Sequence, residues 1–111
     1  MRPGTLLVKP FWDALQAAGA ELVLNGHSHA YERFAPQTST GQSEATGLRE
    51  IIVGTGGRSH ATFGTPLANS EVRDRTSFGV LKLTLHASGY SWQFVPIPGD
   101  SLADSGSAAC R

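Results

Sequence analysis

Two neighbouring segments near the end of the sequence alternate between apolar and polar residues. Phe78 to Leu85 and Tyr90 to Val95 both have a period of two, and His86-Ala87-Ser88-Gly89 joins them. Such alternation is typical of a strand with one buried face, and a short connection containing Gly predicts a β-hairpin. One face of each strand carries the large apolar side chains, which are Leu81, Leu83, Leu85, Tyr90, Trp92 and Phe94. The chain must therefore contain a sheet with a buried face.

The first half of the sequence predicts one helix and two more strands. Residues 9 to 19 form an amphipathic segment in which Pro10 suits the first helical turn and Gly19 suits the end. Residues 21–24 and 49–53 are short apolar runs that end at Gly-containing turns, as buried strands do. We therefore expect an α/β fold with one helix, about four strands and a final β-hairpin.

Two polar segments lack any apolar period. Residues 35–47 are dominated by Ser, Thr, Gln, Gly and Pro, which predicts a solvated loop. Residues 99–111 are small and polar, so we expect a flexible tail after a single folded region that covers residues 1–98. The one cysteine, Cys110, lies in this tail and has no second cysteine with which to form an internal disulfide.

The charge and hydropathy of the chain argue against nucleic-acid and membrane partners. Among the 111 residues, nine are basic and nine are acidic, so the formal net charge is zero and no basic surface is indicated. The apolar runs are much shorter than the ~20 residues that cross a bilayer. The N-terminal sequence leads into an amphipathic segment rather than a small-residue cleavage site, so no signal peptide is expected.

His27 and His29 follow the predicted strand that ends at Asn25-Gly26, with only Ser28 between them. In an extended backbone, positions i and i+2 project to the same side, so both imidazoles can face one cleft. Neutral imidazole is a good ligand for Zn, Fe and related ions. The spacing permits a metal site, and two solvated loop histidines are the alternative.

The residues around this pair resemble a known metal-binding motif. Residues 25–34 read NGHSHAYERF, which is similar to the last metal-ligand motif of calcineurin-like metallophosphoesterases of the purple acid phosphatase type, a GHxH followed by Tyr-Glu-Arg. The segments KPFWDALQAAG, ELVLN and VGTGG resemble the C-terminal half of the same family, so the resemblance covers nearly the whole chain. It implies the C-terminal half of a four-layer α/β-β/α sandwich, with residues 1–98 as a partial domain.

The resemblance implies a metal-dependent phosphoric ester hydrolase, an acid phosphatase-like enzyme, that acts on a phosphate ester. His27 matches a ligand of one metal ion and His29 a ligand of the other, which makes both candidate catalytic residues of a dinuclear site with divalent or trivalent Fe, Zn or Mn. Tyr31, Glu32 and Arg33 are expected either to orient these histidines or to serve as a buried anchoring pair beside an aromatic wall. The family pattern also implies an extracellular or periplasmic location.

The sequence departs from the family pattern because the other ligand motifs are absent. No Asp-x-Gly/His, Gly-Asp-x-x-Tyr or Gly-Asn-His-Asp/Glu segment lies upstream of the histidine pair, and none of the four aspartates has the motif context that could supply a bridging carboxylate; they are Asp13, Asp74, Asp100 and Asp104. We therefore expect the missing N-terminal half of the domain to come from the same longer chain or from a complementing chain. The alternative is a non-catalytic β-rich remnant or binding module without turnover.

Four weaker signals have simpler explanations. Gly54 to Arg58 resembles a phosphate-binding loop, but no helix pattern follows, so a turn or a close strand crossing is expected. His60 is a weak metal candidate that we expect at the surface, and His86 is expected in the hairpin turn. The aromatic alternation of Tyr90, Trp92 and Phe94 would suit a carbohydrate platform, but a buried sheet face explains it better.

Overall fold

The computed structural model describes residues 6–111, which form one helix and seven strands. In chain order the elements are α1 (Lys9–Ala17), β1 (Leu22–Asn25), β2 (Tyr31–Phe34), β3 (Arg49–Val53), β4 (Ser70–Asp74), β5 (Gly79–His86), β6 (Gly89–Pro96) and β7 (Ser105–Ala109). The α/β class and the predicted helix, the two short strands and the hairpin are confirmed, with ends that shift by at most two residues.

Helix α1 is short and buries little of its surface. Pro10 lies in its first turn, where a missing backbone N–H costs nothing, and Gly19 follows it with a φ of 75° that favours glycine. Trp12 is fully buried, whereas Phe11 on the neighbouring position is 63% exposed. One aromatic side chain therefore anchors the helix.

Strands β1 to β4 form a mixed sheet with the order β1-β3-β2-β4. Strand β3 pairs parallel with β1 and antiparallel with β2, and β4 pairs antiparallel with β2. Because β1 and β2 lie on opposite sides of β3, the chain must cross the end of β3 between them. Only residues 26–30 are available for that crossing.

Strands β5, β6 and β7 form a second, antiparallel sheet in that order. The prediction of about four strands is therefore wrong, since β2, β4 and β7 were missed. Strand β4 (SEVRD) carries a single apolar residue, and β7 (SGSAA) has small residues only, so neither shows the apolar alternation by which strands are recognised. Strand β2 (YERF) lies inside the histidine motif and is only four residues long.

The prediction of a flexible tail over residues 99–111 is also wrong. Ser105–Ala109 pair with β6 along their whole length, and Gly106 lies opposite Trp92. A Cβ at Gly106 would overlap the indole ring of Trp92, so the small residues that suggested disorder are the ones that fit over the large aromatic side chains. A third strand thus follows the predicted final hairpin.

The core lies between the two sheets. Tyr31 and Ile51 from the four-stranded sheet cluster with Tyr90, Trp92 and Phe94 from β6, and all five are at most 5% exposed. The rings of Tyr31 and Phe94 lie 5.0 Å apart at an angle of 59°, a favourable tilted arrangement. The aromatic alternation predicted for β6 is thus confirmed as a buried sheet face, and a carbohydrate platform on these rings is excluded.

A buried ionic cluster fastens the C-terminal segment to this core. The carboxylate of Asp104 accepts hydrogen bonds from the Tyr31 hydroxyl at 2.5 Å, from Arg33 Nε at 2.8 Å and from Trp92 Nε1 at 3.2 Å. The side chains of Arg33 and Asp104 are only 11% and 7% exposed. The Arg33 guanidinium also lies over the Trp92 ring, 5.2 Å from its centre. One carboxylate therefore connects both sheets.

These contacts shift the pKa values of the partners in opposite directions. Burial alone would raise the pKa of Asp104, but hydrogen bonds from Arg33 and Tyr31 outweigh it and hold the pKa below its usual value. Burial and the neighbouring Asp104 carboxylate raise the pKa of Tyr31. The folded state therefore keeps Asp104 ionised and Tyr31 protonated.

We expect Asp104→Asn to lower the free energy of unfolding by about 3 kcal/mol, because it removes the buried carboxylate beside Arg33 and leaves that charge only the more exposed Glu71 as its partner. Urea denaturation measures this loss. Asp13→Asn is the matched control, since Asp13 forms an exposed pair with Lys9 and its replacement should change stability very little. Equal, small effects of the two substitutions would contradict a central role for Asp104.

The low pKa of Asp104 also predicts a pH dependence. A carboxyl group whose pKa is lower in the folded state stabilises the fold above its unfolded pKa of about 3.9, and this contribution disappears as the pH falls through the folded pKa. The stability difference between the wild type and Asp104→Asn should therefore be constant near neutral pH and shrink below about pH 4. A difference that persists unchanged into strong acid would argue against the assignment.

Candidate metal-ligand segment

Residues 26–30 carry the histidine pair across the end of β3. The segment is held at two points: Gly54 N–H donates to the Ala30 carbonyl at 2.9 Å, and Ala61 N–H donates to the His29 carbonyl at 2.9 Å. Adjacent strands lie about 4.8 Å apart, so the five residues must bridge roughly twice that distance, from the line of β1 to the line of β2. The histidines therefore lie at the carboxyl end of the parallel pair β1 and β3.

The backbone of this crossing is tightly turned rather than extended. His27 has a φ of 67°, in the left-handed region that few residues other than glycine adopt. Ser28 N–H donates to the Gly26 carbonyl and Ala30 N–H to the Ser28 carbonyl, both at 2.8 Å. The prediction that an extended backbone projects both imidazoles to one side is wrong, because a straight strand would continue past β3 instead of crossing it.

Gly54, the residue that follows β3, makes the crossing possible. A Cβ at this position would overlap the carbonyl oxygen of Ser28 and come close to its carbonyl carbon. The Gly cluster after β3 is therefore a close crossing of two backbone segments, which was one of the two expected explanations for it. No helix follows Gly54 to Arg58 in the described chain, so the phosphate-loop interpretation is not supported.

The two imidazoles differ in exposure. His27 and Ser28 are exposed, and His29 is half-buried beside the buried Ala30. A left-handed backbone at a residue other than glycine costs on the order of 1 kcal/mol, which the hydrogen bonds at Ala30 and His29 offset. The segment thus presents one exposed histidine and one partly covered histidine on a backbone that is held by two hydrogen bonds at its C-terminal end.

The residues expected to orient the histidines lie on β2. Tyr31 and Arg33 point to the three-stranded sheet, where their polar atoms bind Asp104, and Arg33 also binds Glu71 at 2.7 Å. Glu32 points to the opposite face, 3.7 Å from Arg73. Tyr31 thus lies in the buried aromatic core, whereas Glu32 and Arg33 pair with Arg73 and Asp104 rather than with each other. An orienting role for Tyr31, Glu32 and Arg33 stays a prediction.

The two remaining histidines have separate environments. His60 is half-buried rather than at the surface as expected, and its ring stacks on Phe78 with centres 4.0 Å apart. Its chain neighbour Ala61 binds the His29 carbonyl, so the loop that carries His60 supports the histidine segment. His86 is exposed at the hairpin turn, as predicted. Its Nε2 lies 3.4 Å from Ser91 Oγ.

Asp104 is the structurally important residue that sequence reasoning missed. In the sequence it lacks a motif context and lies among small polar residues. The period of two appears only in the structure, where Leu102, Asp104, Gly106 and Ala108 are partly buried and their neighbours are exposed. In the structure Asp104 contributes to the contact between the sheets. Among the side-chain hydrogen bonds of residues 6–111, those of Asp104 go to Tyr31, Arg33 and Trp92 and not to residues 26–30.

The donor set of the described chain does not by itself suit a dinuclear metal centre. Residues 6–111 contain no group of three or more His, Cys, Asp or Glu side chains that could hold a metal ion. Structural and catalytic sites usually take three or four protein ligands for each ion. Within residues 6–111, His27 and His29 alone therefore fall short of the ligand number of such a centre.

Comparison with protein-family models finds no match for this chain, and comparison with curated proteins finds none either. Within residues 6–111, no helix is long and apolar enough to cross a lipid bilayer.

Gly54→Ala should disturb the histidine segment, because the added methyl group has no space beside the Ser28 carbonyl. We expect a loss of about 2 kcal/mol in the free energy of unfolding, together with changed NMR shifts of the His27 and His29 ring protons.

Gly56→Ala is the matched control, since a Cβ at Gly56 meets no atom within 4 Å. Its stability and its imidazole shifts should stay close to those of the wild type. If the two variants behave alike, the backbone crossing at Gly54 does not hold the histidines.

Proposed function

We propose that this chain provides the last metal-ligand segment of a dinuclear phosphoric ester hydrolase of the purple acid phosphatase-like type. In this proposal His27 is a ligand of one metal ion and His29 is a ligand of the other. The fold is then the C-terminal half of a four-layer α/β-β/α sandwich. The observation that carries the proposal is the placement of NGHSHA as a pinned crossing at the carboxyl ends of β1 and β3.

Three features support this role. Carboxyl ends of parallel strands are a common place for ligand sites in α/β proteins, and a short connection that is hydrogen-bonded at His29 and Ala30 keeps its side chains in place. The left-handed backbone at His27 is the kind of strained position that clusters at functional sites. The exposed edge of His27 leaves its imidazole accessible to an ion and to a substrate.

The proposal includes a second set of ligands from outside the described residues. Two imidazoles are too few for two ions, and the carboxylates that would complete the centre are assigned to the missing N-terminal half of the domain, in the same longer chain or in a complementing one. When bound, two metal ions would supply a hydroxide nucleophile and charge stabilisation for the phosphate ester. The contribution of this chain is to hold the two imidazoles close together with little backbone freedom.

A second candidate is a non-catalytic β-rich binding module, and one observation favours it. Tyr31 and Arg33, which follow the histidines, are fully engaged with Asp104 in the contact between the sheets. The Tyr-Glu-Arg run thus has a structural purpose that needs no metal. This candidate predicts a stable fold that neither binds metal through the histidines nor hydrolyses phosphate esters.

Titration of the chain with Zn²⁺ or Mn²⁺ by calorimetry separates the two candidates. We expect His27→Ala and His29→Ala each to weaken metal binding by about tenfold or more, because each removes a direct ligand. His86→Ala is the matched control, since His86 is an exposed histidine in a distant turn, and its replacement should leave the affinity unchanged.

Hydrolysis of p-nitrophenyl phosphate tests the catalytic part of the proposal. Turnover that needs added metal and is lost in His27→Ala would support the hydrolase. Metal binding that is equally strong in the wild type and in both histidine variants would sink the ligand assignment and leave the binding module. Sequencing the DNA upstream of the codon for Met1 tests whether the missing ligands belong to the same longer chain. Stop codons in that reading frame would reject the longer chain as their source.

A further inference from the structure

Strand β5 is an edge of the three-stranded sheet, and among the described residues no strand pairs with its outer side beyond Gly79, whose backbone groups bond to Thr55. The sheet has the order β5-β6-β7, and β5 extends over eight residues, Gly79–His86. Edge strands of this length attract other strands unless charges, proline or bulges protect them, and β5 has Lys82 as its one Lys, Arg, Asp or Glu side chain. Leu85 is 75% exposed, although it lies on the same face of β5 as Leu81 and Leu83, which are partly buried against the core.

The direction of the backbone groups along β5 follows from its neighbours. Phe94 N–H donates to the Asp104 carbonyl and Cys110 N–H to the Ser88 carbonyl, so the even-numbered residues of β6 face β7. The odd-numbered residues of β6 therefore bond to β5, where their register partners are even-numbered. The backbone groups of Leu81, Leu83 and Leu85 consequently point to the open edge.

The side chains along β5 divide by the same parity. Leu81, Leu83 and Leu85 face the core together with the β6 aromatic residues, and Lys82 and Thr84 face outward. An apolar hollow beside the edge, lined by Leu24, Val53, Leu81 and Leu83 among others, extends this leucine face towards β1. In a strand that pairs with β5, the residues whose backbone groups bond to Leu81, Leu83 and Leu85 must therefore have apolar side chains.

We propose that a second copy of this chain occupies the edge, with the two β5 strands antiparallel about a twofold axis at Leu83. Leu83 then lies opposite Leu83 of the second copy, Leu81 lies opposite Leu85, and Lys82 lies opposite Thr84. The two three-stranded sheets become one continuous six-stranded sheet. This assembly involves none of the histidine segment, and it requires that the missing half of the proposed domain leaves β5 unpaired.

The alternation of odd-numbered and even-numbered residues along β5, together with the charge of Lys82, selects this register. A twofold axis between two residues would place each leucine opposite an even-numbered residue of the second copy. The free backbone groups would then not meet, and the apolar side chains would lie opposite polar ones. An axis at Lys82 satisfies the parity but places two ammonium groups directly opposite each other, which is unfavourable. An axis at Leu83 pairs residues 80–86 of both copies, places each ammonium opposite a threonine and covers the exposed Leu85 with Leu81. The strand is thus complementary to itself in one long register.

Sedimentation equilibrium of the full 111-residue chain tests the assembly, with an expected mass of twice 11.7 kDa. Leu85→Lys should raise the dissociation constant by about tenfold or more, because it places a charge in the leucine face. Leu7→Lys is the matched control, since Leu7 is 91% exposed and lies before α1, and it should leave the dimer intact. A chain that is monomeric at every concentration would overturn the proposal and leave the edge to a strand of another polypeptide.

Cross-linking tests the register in a Cys110→Ser background, which removes the native thiol. Positions 82 and 84 are both exposed, so Lys82→Cys and Thr84→Cys should fold normally. In the proposed register, a mixture of the two variants forms a disulfide between Cys at 82 and Cys at 84, because opposed residues of this kind have Cα atoms about 4.5 Å apart, within the disulfide range. Lys82→Cys alone should stay uncross-linked. Efficient cross-linking of Lys82→Cys to itself would place the axis at Lys82 and overturn the register.

Discussion

The carboxylate of Asp104 is the contact on which the arrangement of the two sheets depends. It joins Tyr31 and Arg33 of β2 to Trp92 of β6, and it lies at the start of the strand that completes the second sheet. Burying a carboxylate and a guanidinium costs several kcal/mol unless each is well hydrogen-bonded, and here Asp104 accepts four hydrogen bonds from three side chains. Such a cluster tolerates little change in the distance between the sheets, so it determines their relative position more strictly than apolar contacts alone.

The crossing of residues 26–30 over β3 is the second constraint, and it governs the candidate metal-ligand segment. The sheet order places β1 and β2 on opposite sides of β3, and the short connection must pass directly over Gly54. His27 takes a left-handed conformation because of this route. The histidines are therefore held by the topology of the sheet and by two backbone hydrogen bonds, and the Tyr-Glu-Arg run that follows them contributes through its contacts to the core.

The apolar side chains of this fold are unevenly covered. The interior between the sheets is closed by aromatic residues, but Leu24, Val80 and Leu85 remain between 47% and 75% exposed near the β1 and β5 edges. Aliphatic side chains at a free sheet edge gain free energy when another strand covers them. The proposed pairing of β5 follows from the exposed sheet edge. The proposed completion of the metal centre follows from the incomplete ligand set.

Local patterns in the sequence determined the helix, the short strands β1 and β3 and the hairpin of β5 and β6, because helical and strand periods are properties of neighbouring residues. They also identified His27 and His29 as the candidate ligands, through the residue types and their spacing. Only the tertiary structure decided that Asp104 is buried, that residues 105–109 form a strand and that His27 leaves the extended conformation. Each of these features depends on residues far apart in the chain: Asp104 needs Arg33, the small residues of β7 need Trp92, and the turn at His27 needs Gly54. No local pattern encodes such pairings, since their free energy arises only when the two sheets meet.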